Sequence, residues 1–82
     1  MRPEPFYEAL GLTIADARSR AGLNQAQLAA RLRPPVTRAC INNIEGARQR
    51  VLVHMLVQIA EACGVSAAEL LPRFRPGESG SK

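Results

Sequence analysis

Arg38, Asn42 and Asn43 can form hydrogen bonds of fixed direction, and they fall within six positions. The planar fork of an arginine matches the O6 and N7 of guanine bidentately. An asparagine amide can pair bidentately with adenine. On a helix, neighbours differ by about 100°, so Asn42 and Asn43 cannot both point straight at one target. Asn43, five positions after Arg38, is the expected base reader, and Asn42 is expected to meet phosphate. Arg48, Gln49 and Arg50 follow as a basic run suited to holding phosphates. The alternative for each is an ordinary solvated helix face or loop.

Cys40, Cys63 and His54 are the other reactive side chains in this region. Their spacing fits no zinc pattern. Cys63 reads as a packing residue and Cys40 as a small residue near the polar face. His54 is expected to be partly buried on its helix. No nucleophile with a base, carboxylate pair or glycine-rich phosphate loop is present, so the chain is not expected to be an enzyme or to hold a cofactor or metal.

The elements that would position these groups are helical. A first helix is expected from about Phe6 to Ala21, with Leu10, Ile14, Ala17 and Ala21 on one face and Gly22 ending it. Asn24 can cap a second helix that runs to about Leu32. Pro34 and Pro35 stop it. Thr37 can cap a third, Arg38 to Glu45, closed by Gly46. Leu28, Leu32, Ile41 and Ile44 form thin apolar stripes on the second and third helices. The third is too polar to be buried all round. A fourth helix is expected from about Leu52 to Cys63. Ser66 and Glu69 form a capping box for a short fifth, Ala67 to Leu71. Residues 1–5 should be loose, 6–74 one domain, and 75–82 a disordered tail rich in Gly, Ser, Pro and charge.

The 82 residues carry eleven Lys and Arg against seven Asp and Glu, a net charge of +4. Ten of the eleven cations are arginine. A GC-rich coding bias accounts for much of that ratio. The net charge suits a polyanionic partner. No apolar run approaches the roughly 20 residues that span a bilayer, and the N-terminus lacks a secretory pattern. A cytoplasmic, nucleoid-associated protein without a membrane partner is expected. Two cysteines are too few for a disulfide scaffold.

Positions 14–71 resemble the Cro/C1-type (XRE) helix-turn-helix family of DNA-binding regulators. The resemblance is carried by GLNQAQLA at 22–29, TRACINNIE at 37–45, RQRVLVHMLVQIAEACGVSAAELLP at 48–72, and Arg18 upstream. It implies a compact, all-α, five-helix, lambda-repressor-like domain. It implies that Gln25 holds a backbone phosphate at the start of helix 2. Thr37, Arg38, Ala39, Asn42 and Asn43 would face the major groove. Arg48, Gln49 and Arg50 would lie along the sugar-phosphate backbone. Arg18 and Glu45 would form an internal salt bridge, and the last helix would be a dimer surface. Two features depart from the family pattern. The turn between helices 2 and 3 carries about two extra residues and two prolines. The glycine after helix 3 stands one place early, leaving Ala47 where a left-handed conformation is wanted.

The expected function is sequence-specific binding of double-stranded DNA as a transcriptional regulator. It would act as a repressor and a homodimer on a pseudo-palindromic operator. Leu70, Leu71, Pro72 and Phe74 are the expected dimer contacts, as an exposed apolar end. The rival class is an antitoxin-like or adaptor module. Its main partner would be another protein, such as a toxin or regulator, docked on MRPEPFYEAL or the tail. A controller of a restriction-modification system or mobile element is a third reading, separable only by gene context.

Overall fold

A computed structural model describes residues 5–72. It contains five helices and no strand among those residues: α1 (Pro5–Arg20), α2 (Gln25–Arg31), α3 (Arg38–Glu45), α4 (Val53–Cys63) and α5 (Ala67–Leu70). Pro5, expected in the loose N-terminus, is the first residue of α1, where its fixed φ and missing N–H do no harm. The remainder of the expected N-terminal segment and the tail, with Phe74, lies outside the described residues.

Local capping accounts for where the helices begin. The Asn24 side chain accepts from the Gln27 N–H while Gln27 reaches back to the Asn24 N–H, a full capping box. Thr37 Oγ1 accepts from the Cys40 N–H at 3.1 Å. Ser66 and Glu69 form the second box. Three helices end in the same way. Leu23 N–H reaches the Arg18 carbonyl, Arg48 N–H the Asn43 carbonyl, and Val65 N–H the Ala60 carbonyl. Each is a six-to-one bond closing a left-handed residue. That residue is Gly22 after α1 and Gly64 after α4, but Ala47, at φ 60°, after α3.

α1 is the hub on which α3, α4 and α5 pack, and α2 bridges α3 and α4. Leu10 and Ile14 of α1, Leu28, Ala29 and Leu32 around α2, Ile41 and Ile44 of α3, Leu56, Ile59 and Ala60 of α4, and Leu70 make one core. Leu70 is only 1% exposed, so it is a core residue and not the dimer contact expected of it. α5 folds back onto α1, where the Thr13 hydroxyl donates to the Leu70 carbonyl. His54 also departs from expectation. It sits on the outer side of α4 and is exposed, because Leu56, Ile59 and Ala60 define the buried side.

The longer turn between α2 and α3 is closed from two directions. Val36 N–H returns to the Ala29 carbonyl at 3.1 Å, which also takes Leu32 N–H at 3.4 Å. Gln58 of α4 pairs with both backbone groups of Arg33, accepting from its N–H at 2.8 Å and donating to its carbonyl at 3.1 Å. The Arg33–Pro34 peptide is cis.

Candidate nucleic-acid interface

α3 is held by one side and open on the other. Ile41 and Ile44 are 0% and 3% exposed and anchor it, while Arg38, Ala39 and Asn42 are exposed and Asn43 is half-buried. Thr37, at the cap, is exposed next to them. An eight-residue helix with two aliphatic anchors thus presents a polar side of Arg, Ala and Asn.

The C-terminal end of α3 is fixed by an ion pair that runs back to α1. Arg18 Nε donates to Glu45 Oε2 at 2.6 Å and Arg18 Nη2 to Oε1 at 3.1 Å. Arg18 Nη1 also donates to the Leu23 carbonyl at 2.9 Å, tying the loop before α2 to the same cation. The Arg18 and Glu45 side chains are only 18% and 8% exposed. The hydrogen bond to Glu45 raises the Arg18 pKa above its ordinary value, against the opposing effect of burial. The guanidinium therefore stays charged at every pH the fold would meet.

Gln25 joins this group. Its Nε2 donates to Glu45 Oε1 at 2.9 Å and to Asn42 Oδ1 at 3.3 Å. The residue for which the family resemblance implied a phosphate contact thus also ties the start of α2 to the exposed side of α3. Arg48, exposed after α3, turns back so that its Nε donates to Asn43 Oδ1 at 3.3 Å. Gln49 Nε2 lies 3.3 Å from the sulfur of the half-buried Cys40. The Arg50 guanidinium stands 5.3 Å over the Tyr7 ring, a cation–π contact that places it beside α1. Asn42 is the more exposed of the two asparagines.

The remaining described arginines with carboxylate partners lie elsewhere. Arg20 pairs with Asp16 at 3.1 Å and Arg33 with Glu61 at 3.8 Å. Arg38 and Arg48 form no carboxylate ion pair with the described residues. Cys63 packs against the core near Arg18, and burial pushes its thiol pKa up. Leu71 is 46% exposed and Pro72 half-buried at the end of α5. No helix among the described residues is long and apolar enough to cross a membrane.

Two positioning residues escaped the sequence reading. An ideal Cβ on Gly11 would lie 2.3 Å from the Glu45 carbonyl oxygen and 2.9 Å from that of Ile44, so α1 touches the backbone of α3 there. A glycine isolated inside a helical pattern is the available sign of such an approach. Gln58 is the other, and nothing local marks it.

Residues 9–72 match the family model described as a helix-turn-helix domain. The chain belongs to that helix-turn-helix family. That family is one of helix-turn-helix domains and not of enzymes. Solved structures agree on the fold. One structure of the clp gene regulator ClgR from Corynebacterium glutamicum superposes with a TM-score of 0.75 at 26% identity, covering 84% of this chain and 71% of that one. A second ClgR structure gives 0.73 at 29% identity, covering 82% and 86%. The S. venezulae BldD DNA-binding domain gives 0.74 at 23% identity, covering 84% of this chain and 100% of that one, and at that identity supports the fold alone. No curated protein sequence matches.

Proposed function

We propose that the chain is a DNA-binding transcription regulator that reads the major groove with α3 and acts as a repressor. The observation that carries this reading is the open side of α3, where Arg38, Ala39 and Asn42 are exposed on a helix locked by Ile41, Ile44 and the Arg18–Glu45 pair. A short, rigidly held polar helix is what base reading requires. Arg38 is the principal base reader, joined by Asn42 and Asn43. Thr37 and Ala39 complete the surface. Arg48, Gln49 and Arg50 contact the sugar-phosphate backbone with their side chains, and Gln25 does so with its backbone N–H at the start of α2. The structural likeness to ClgR, a clp gene regulator, supports the same reading.

The working form is a homodimer on a pseudo-palindromic operator, with two copies of α3 in major grooves one turn, roughly 34 Å, apart. Leu71 and Pro72, at the end of α5, are the apolar residues assigned to the contact with a second copy.

The test is binding of the purified chain to DNA upstream of its own gene against scrambled DNA, with Arg38→Ala alongside. Selective binding, two protomers per site, reduced by Arg38→Ala to the scrambled level, is expected. Equal binding of both DNAs with the variant unchanged would overturn the reading in favour of a protein-partner module.

A further inference from the structure

Gly46 is a glycine for a different reason from Gly22 and Gly64. Those two have left-handed backbone, at φ 76° and 77°, and nothing would lie within 4 Å of an added Cβ. Gly46 has φ −90° and ψ 5°, a turn geometry open to most residues. Its Cβ position is the one that is occupied. An added Cβ would lie 2.7 Å from Nη1, 3.0 Å from Cζ and 3.1 Å from Nη2 of Arg48. The three distances are nearly equal, so the flat face of the guanidinium rests against Gly46.

The chain reversal at Ala47 brings Arg48 to that place. Its N–H donates to the Asn43 carbonyl at 2.8 Å and its Nε to Asn43 Oδ1 at 3.3 Å. Arg48 is thus held over the end of α3 by its backbone, its Nε and its flat face. All the groups that hold it are neutral. A carboxylate would fix an arginine as well, but would cancel its charge. Arg48 has no carboxylate partner among the described residues and stays exposed, so its charge remains for a phosphate. Lysine could not replace it here, having neither a flat face nor an Nε donor on the stem.

We propose that Gly46 and Asn43 are positioning residues for DNA binding, which seat Arg48 in its phosphate-binding orientation before DNA arrives. The role rests on the DNA-binding function proposed above. It accounts for the glycine that stands one place early. A glycine at 47 with a side chain at 46 would relieve the left-handed backbone but displace Arg48. A side chain fixed beforehand need not be ordered on binding, an advantage of about two- to tenfold in affinity for each arginine.

The experiment is titration of the full chain with DNA upstream of its own gene across a salt series. Gly46→Ala is made in the parent and in an Arg48→Lys chain, with Arg48→Ala beside them. Gly46→Ala should weaken binding by about two- to tenfold per protomer and leave the salt slope as it was, because the displaced arginine still finds its phosphate. Arg48→Ala should instead reduce the slope by about 0.9 per protomer. Arg48→Lys keeps the charge and the slope but loses the seat, so it should show the same loss of affinity without any change at residue 46. In that chain Gly46→Ala should then change affinity by less than about twofold. Equal losses from Gly46→Ala in the two backgrounds would overturn the proposal, since the added methyl would be acting on the helix end or on DNA directly. So would parental affinity in either Gly46→Ala or Arg48→Lys. A parent chain that binds no DNA would instead remove the function itself, and the positioning role with it.

Discussion

Replacing Gly11 by alanine should destabilise the protein, against the direction that helix propensity gives. In an exposed helix interior, alanine is favoured over glycine by about 1 kcal/mol. At position 11 the new Cβ would sit 2.3 Å from the Glu45 carbonyl oxygen, 2.9 Å from the Glu45 carbonyl carbon and 2.9 Å from the Ile44 carbonyl oxygen. All three are backbone atoms at the end of α3, so no side chain can swing aside. Restoring ordinary contact at 3.4 Å or more requires α1 and α3 to part by about 1 Å. Overpacking of this kind costs typically about 1–3 kcal/mol, and a backbone-to-backbone clash belongs at the upper end. Subtracting the propensity gain leaves a net loss of about 1–2 kcal/mol. For a domain of this size that lowers the melting temperature by roughly 5–15 °C. Thermal and urea unfolding followed by circular dichroism would measure it. A Gly11→Ala protein more stable than the parent by the propensity value would refute the close approach of the two helices.

Ala47→Gly should act in the opposite direction. A left-handed alanine costs about 1–2 kcal/mol, part of which is offset by the greater unfolded freedom of glycine, so a gain of about 0.5–1 kcal/mol is expected in urea unfolding. A loss would mean that residue 47 is not left-handed in solution. Arg18→Met keeps aliphatic bulk but leaves Glu45, 8% exposed, with only Gln25 as a side-chain partner. The expected loss is about 3 kcal/mol, smaller when Glu45→Gln is added, and a loss well under 1 kcal/mol would mark the pair as effectively solvated.

The helices were legible in the chain because their ends are local chemistry. Asn24, Thr37 and Ser66 cap from within three residues, and Gly22 and Gly64 supply left-handed backbone directly after the helix they close. The alternation of Ile41 and Ile44 with polar neighbours marked which side of α3 would be open. What could not be read was contact between distant segments. Gln58 reaches a backbone 25 residues away, and Gln25 engages partners 17 and 20 residues on. Gly11 shows in the sequence only as a glycine isolated in a helical pattern, and what it makes room for exists only once α3 lies against it. Leu70 looked like an exposed apolar end because its burial depends on α5 turning back onto α1. Spacing likewise fixes the directions of Asn42 and Asn43 relative to Arg38, but not how Arg48 folds back to Asn43.

The central claim is that α3 reads base edges while the connector after it holds phosphates. A salt series on the chain's own upstream DNA, with the parent and Arg38→Ala side by side, tests it most directly. If Arg48 and Arg50 each neutralise a phosphate in both halves of a dimer, log affinity should fall against log salt with a slope of roughly −4 or steeper. Arg38→Ala should abolish the preference over scrambled DNA and change that slope little, since a base reader carries sequence information and not counterion release. A shallow slope with no preference for the upstream sequence, or selectivity untouched by Arg38→Ala, would contradict the account.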